Sequence, residues 1–320
     1  MHNEPNKTVD PAPAPALWRS FKLAAIVAAP VYFDAAASAD KACLLIQDAA
    51  RQGAVLAAFG ETWLPGYPWW IRSEGFSSGL QMKCRAEYLA SAIKVPGPET
   101  DQLCEAAKKA GIDVVIGVVE RDSTTRSSVY CTLLFIGREG KILGRHRKLK
   151  PTDFERRVWA EGDGIGLVVY ERAYARISGL NCWEHRMMLP GYALAAQGTQ
   201  VHVAVWPSGS EDILAQAFAQ QGSCYVISVG GLLRDQDIPD RYSALFPTPA
   251  DLDAGGSIIA PDGTIVSSTT QAAETIVIAD ASPSRILSAK SICDIGGHYS
   301  RPDVLQLNVN RQPMRRIVES

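Results

Sequence analysis

The chain has 320 residues, with 32 lysines and arginines against 34 acidic residues and a formal net charge of −2. That balance excludes the basic excess with which a general nucleic-acid binder gathers phosphates, and an apolar share of 47% with 21% charged residues excludes a disordered chain. No run approaches the ~18 consecutive apolar residues of a membrane span, and seven scattered cysteines without a CxxC pair argue against a disulfide framework or a zinc ribbon.

Residues 1–20 are polar and proline-rich, with the stretch Pro11-Ala-Pro-Ala-Pro15 and no apolar core of a secretory leader. They read as a flexible N-terminal extension, residues 21–320 as one large domain, and the unpaired cysteines as those of a cytoplasmic protein. From Phe21 onward, β-branched apolar runs alternate with amphipathic ones. Lys22–Ala29 is the first expected strand. A helix over Ala36–Gln52 follows, with Ala42, Leu45, Ile46 and Ala49 on one face and Gly53 as its stop. Ala54–Gly60 is the second strand. A helix over Glu99–Ala110 ends at Gly111 and feeds a strand over Asp113–Glu120. Ser128–Ile136 and the run from Lys141 form a hairpin around Gly137-Arg-Glu-Gly140. Arg176–Asn181, Val201–Val205 and Tyr225–Val229 are further strands, with a helix over Glu211–Gln221 between the last two. Ser257–Ile259 and Thr275–Ala279 close the series, separated by a turn at Pro261-Asp-Gly263. Near-continuous apolar strands imply cover on both faces, and βα alternation mixed with hairpins implies a layered α/β fold.

No phosphate loop, serine elbow or HExxH pair is present, and Gly162-Asp-Gly-Ile-Gly166 lacks the dinucleotide spacing. No metal and no organic cofactor is expected. The five histidines, without partners at ligand spacing, read as structural. Three segments instead carry a reactive side chain off the end of a strand, where α/β folds gather their ligands. The strand from Ala54 runs into Glu61, the one from Lys141 into Lys148, and the one from Arg176 into Cys182. A free thiol, with a pKa of about 8.5, needs help to become a thiolate near neutrality. A carboxylate can take its proton, and an ammonium can stabilise negative charge developing on the attacked substrate. These three side chains together suit acyl transfer without a histidine base.

The surrounding sequences are Phe59-Gly-Glu-Thr-Trp-Leu-Pro-Gly-Tyr-Pro68, Arg147-Lys-Leu-Lys-Pro-Thr152 and Gly179-Leu-Asn-Cys-Trp-Glu-His185. With Glu155-Arg-Arg-Val-Trp-Ala-Glu-Gly-Asp-Gly164 and Gly297-His-Tyr-Ser-Arg-Pro-Asp303, they resemble, in order, the nitrilase branch of the carbon–nitrogen hydrolase superfamily. The likeness spans roughly residues 22–310. It implies an α-β-β-α sandwich that assembles into dimers or larger, possibly spiral, homo-oligomers. It also implies Cys182 as nucleophile, Glu61 as general base, Lys148 rather than Lys150 as the stabilising cation, and Glu155 as a second glutamate that positions lysine and water. Tyr67, Trp183, Glu184 and His185 are candidate pocket residues, with packing as the alternative. Gly60 stands where the family often has proline. The activity implied is hydrolysis of a small organic nitrile to the carboxylic acid and ammonia. An amidase or carbamoylase on the same fold, and a non-catalytic scaffold, are the alternatives.

Overall fold

The computed structural model describes residues 19–73, 79–210, 212–314 and 317. The extension expected over residues 1–20 lies outside these, apart from Arg19 and Ser20. Two six-stranded sheets face each other. The first contains β1 (Phe21–Val27), β2 (Ala54–Phe59), β3 (Asp113–Arg121), β4 (Val129–Gly137) and β5 (Lys141–Arg147). The second contains β6 (Tyr170–Glu171), β7 (Arg176–Asn181), β8 (Val201–Trp206), β9 (Tyr225–Gly230), β10 (Gly256–Ile259) and β11 (Ile265–Thr269). The chain then returns to the first sheet, where β12 (Thr275–Ala281) lies antiparallel beside β1. Each sheet has a parallel trio, β1-β2-β3 and β7-β8-β9, extended by antiparallel neighbours.

Alternation along the strands explains why they read as continuous apolar runs. In β1, Leu23, Ala25 and Val27 point into the core shared with Val201, Val203 and Val205 of β8. Ala24 and Ile26 point the other way, onto helices α1 (Ala35–Arg51) and α3 (Pro98–Ala110). Helix α1 starts because Asp34 accepts a hydrogen bond from the Ala37 amide at 2.9 Å, satisfying a donor the first turn leaves free. It buries Ala39, Ala42, Ile46 and Ala49, the stripe its periodicity predicts. Helix α3 starts with Pro98 in its first turn and stops at Gly111, whose φ of 67° suits glycine. On the outer face of the second sheet, α4 (Met188–Ala195) and α5 (Asp212–Gly222) cover Leu180, Ala204 and Trp206. The layers are therefore α-β-β-α, as the resemblance implied.

Three helices were not expected: α2 (Gly79–Ser91), α4 and α6 (Pro283–Ile292). Pro190 and Gly191 hide α4 from a propensity reading, yet Pro190 falls in its first turn, where no backbone donor is needed. Nor were the short edge strand β6 and the bounds of β11 read from the sequence. No helix among the described residues is long and apolar enough to cross a membrane.

At the strand ends that carry the reactive residues, the sheets approach main chain to main chain. The amides of Glu61 and Gly231 both donate to the Trp206 carbonyl, at 3.1 Å each. A Cβ on Gly60 would lie 2.7 Å from the Gly231 nitrogen, so glycine is required there.

Candidate active site

Glu61 leaves the end of β2, Lys148 the end of β5 and Cys182 the end of β7, so the first sheet supplies two groups and the second sheet the third. Cys182 has a φ of 47°, a left-handed backbone that is uncommon for a residue with a side chain. It opens the short turn Cys182–Arg186, which swings its thiol off the strand axis. Glu155 sits in another short turn, Asp153–Arg157, and its Oε2 accepts from the Thr152 amide at 2.6 Å.

These four side chains meet. Lys148 Nζ donates to Glu61 Oε1 at 2.8 Å and to Glu155 Oε2 at 2.7 Å, and all three residues are buried. Glu155 Oε1 accepts from the Tyr67 hydroxyl at 2.9 Å. The Cys182 thiol and one oxygen of each glutamate lie within 4.8 Å of one another. Glu61 Oε2 is buried without a hydrogen-bond partner among the described residues. A carboxylate held through one oxygen and bare at the other is arranged to receive a proton.

The electrostatics follow from two carboxylates sharing one ammonium away from water. Burial pushes Glu61 up to about 7; Lys148 pulls against that shift and Glu155 adds to it. Burial pushes Lys148 down, but Glu61, Cys182 and Glu155 together outweigh it and hold the ammonium well above its ordinary value. The Cys182 thiol is raised by burial and by Glu61, with Lys148 opposing, so at rest it keeps its proton.

A cavity of about 930 Å³ opens onto Cys182, Glu155 and Tyr67, with Trp183, Pro207 and Leu252 among its walls. Tyr67 and Trp183 thus stand where a pocket residue should. Arg186 stacks over the Trp183 ring at 3.9 Å. Glu184 and His185 are not among the residues that line this cavity. The buried carboxylate of Glu184 accepts from the Leu149 amide at 2.8 Å, the Asn181 amide at 2.8 Å and His146 Nε2 at 3.0 Å. It therefore ties the residue after Lys148 to the residue before Cys182. These contacts favour the ionised form and hold Glu184 below the usual glutamate range against the opposing effect of burial. His185 turns inward onto the Cys182 carbonyl and His202. Lys150 is exposed and pairs with Glu161, apart from the cluster.

Three contributors escaped the sequence reading. Cys131 Sγ lies 3.5 Å from Glu61 Oε1, while His146 and His202 are fully buried. The available signal was a histidine inside an apolar strand, as in Val201-His-Val-Ala-Val205, where burial demands a partner.

A two-sheet sandwich with a thiol, a carboxylate and an ammonium converging at its strand ends defines a class of hydrolase that works through a covalent cysteine adduct. The sequence model of the carbon–nitrogen hydrolase family matches residues 22–291, and the chain belongs to that family. It is 54% identical over 295 residues to "Nitrilase 2" of an unknown prokaryotic organism, covering 91% of this chain and 93% of that one. It is 37% identical over 307 residues to "Nitrilase 3" of Arabidopsis thaliana, covering 90% and 86%. Among solved structures, Saccharomyces cerevisiae Nit3 superposes with a TM-score of 0.69 at 18% identity, covering 90% of this chain and 99% of that one.

Proposed function

We propose that the chain is a nitrilase, hydrolysing an organic nitrile to the carboxylic acid and ammonia, with Cys182 as nucleophile, Glu61 as general base, Lys148 as the stabilising cation and Glu155 as the positioning glutamate. The observation that carries the roles is the buried contact of Lys148 with both glutamates at 2.8 and 2.7 Å, beside the Cys182 thiol. The choice of nitrile rests on the nitrilase name of the relative at 54% identity.

In the first step the thiol proton passes to Glu61 Oε2 and the sulfur attacks the nitrile carbon. Glu61 returns the proton to the nitrile nitrogen, leaving a thioimidate on Cys182. Glu61 then takes a proton from water as the water oxygen adds to the same carbon, and the nitrogen receives that proton. The hydroxyl proton moves to nitrogen by the same carboxylate, ammonia departs, and a thioester remains. A second water, deprotonated by Glu61, releases the acid and restores the thiol. Lys148, fixed before substrate arrives, stabilises the negative charge that develops in each addition, a contribution of about 3–4 kcal/mol per well-placed donor. Assembly of the chain with copies of itself belongs to the same proposal. Met188 and Leu189 on α4, 87% and 64% exposed, support it, and sedimentation tests it.

The test of the chemistry is mass spectrometry of the protein quenched early in turnover of a nitrile. The expected result is an added acyl or imidoyl mass on the peptide containing Cys182, lost together with all turnover in Cys182→Ala while the melting temperature stays. Turnover of matched amides with none of nitriles would overturn the choice of substrate, and an adduct on another residue would overturn the role of Cys182.

A further inference from the structure

Behind Cys182 a line of hydrogen bonds runs into the second sheet, away from the cavity. His185 Nδ1 is 2.7 Å from the Cys182 carbonyl, and His185 Nε2 is 3.0 Å from His202 Nε2. His202 Nδ1 is 2.8 Å from Ser178 Oγ, which lies 3.0 Å from Thr199 Oγ1. A carbonyl can only accept, so His185 carries its proton on Nδ1. Its Nε2 is then a bare acceptor, because two N–H groups cannot face each other across 3.0 Å. His202 must therefore donate through Nε2 and accept at Nδ1 from the Ser178 hydroxyl. One carbonyl thus dictates the tautomers of both imidazoles and the Ser178 proton, and these three dipoles point toward the nucleophile. Burial supports the neutral forms this needs: it drives His185 down to about 4 and His202 well below its ordinary value. Phe218 lies flat against the His202 ring, centroids 3.9 Å apart, and keeps it from turning.

We infer that His185 and His202 are positioning residues, which act through the Cys182 carbonyl to hold the left-handed backbone that presents the thiol to Glu61 and Lys148. The inference rests on the reading of Cys182 as nucleophile. The strained conformation needs an outside anchor. The turn after β7 supplies one through Glu184 and the Asn181 amide, and this line supplies the other through the carbonyl.

The experiment begins with nitrogen NMR of the 15N-histidine-labelled protein. His185 should be the Nδ1–H tautomer and His202 the Nε2–H tautomer; the reverse assignment at His185 overturns the inference. This arm needs no variant to fold and no substrate to be turned over. In the second arm, His202→Phe keeps the stack on Phe218 and removes both nitrogens, whereas His202→Gln keeps a donor near the Nε2 position. His202→Phe should lower kcat about tenfold to a hundredfold with KM changed by no more than about twofold, and His202→Gln should recover most of the loss. A folded His202→Phe enzyme with kcat within about twofold of the parent overturns it. Should the parent turn over no nitrile, the proposed activity fails on its own. The tautomers and the rate at which iodoacetamide alkylates Cys182 then decide the matter, with the same loss expected in His202→Phe.

Discussion

The Cys182 thiol faces ions, and the Cys182 carbonyl is backed by neutral groups. Lys148, Glu61 and Glu155 form a dry ionic knot around one ammonium, while Cys182 is backed by imidazoles and hydroxyls that carry no charge. Glu184 joins the two sides by gripping main chain on each. The difference separates two problems that the thiol presents as the proposed nucleophile. Its proton must be moved, which takes charges held where water cannot screen them. Its sulfur must be aimed, which takes a backbone held rigid by buried hydrogen bonds.

On this division the largest effects belong to the ionic side. Lys148→Met strands two buried carboxylates without a counter-ion and should cost about 3–5 kcal/mol of stability, read as a fall in melting temperature. Activity should vanish with it. Adding Glu155→Gln to the same chain should return part of the stability and none of the activity; a double variant as unstable as the single one would show that the charges are not the cause.

Next in size is the dependence on pH. Glu61 must be ionised to accept a proton, so kcat/KM should fall about tenfold per unit as pH drops below about 7, its folded-state value. Above that value the rate should stay level, because Lys148 remains charged well beyond the ordinary lysine range. Stability moves the other way. A carboxyl raised by folding binds its proton more tightly in the native state, so its contribution is present in acid and lost as pH rises through about 7. The neutral side should add no step of its own near pH 7, since burial pushes His185 down to about 4 and His202 well below its ordinary value. A Glu61 carboxyl found by carbon NMR of the labelled protein to titrate in the usual glutamate range would break the assignment of this limb.

The smallest effect is expected at the rim of the knot. Tyr67→Phe removes one hydroxyl donor from Glu155 Oε1. A hydrogen bond to a charged group contributes about 1.5–3 kcal/mol, but the Lys148 and Thr152 contacts to the other oxygen remain. A loss in kcat of about tenfold or less is expected, and steady-state kinetics on the purified variant checks it. A loss as deep as that of Lys148→Met would move Tyr67 from the rim to the centre.

The ionic side was legible in the sequence because its members sit in linear segments that announce themselves: a strand, then a carboxylate or an ammonium, then a proline-bearing turn. Glu155, seven residues after Lys148, came only from the family resemblance, because a carboxylate in a loop carries no strand to mark it. The neutral side was not legible. His202 and Ser178 lie on neighbouring strands 24 residues apart, and only the register of β7 against β8 brings them together. Cys131 is 70 residues from Glu61. Glu184 and His185 were noticed with pocket and packing both open, since closeness to Cys182 in the chain says nothing about where a tight turn sends each side chain. The alternating apolar strands revealed the two sheets, whereas α4 stayed hidden behind a proline that its first turn tolerates.

Gly60, Gly230 and Gly231 have no side chains to rotate, so where they touch, the separation of the two sheets is a property of the main chain alone. Repacking cannot widen it. The reacting end of the cavity therefore has a fixed gauge, suited to a slender group such as a nitrile and indifferent to what hangs behind it. Bulk has to be accommodated outward, between Trp183 and the segment around Leu252.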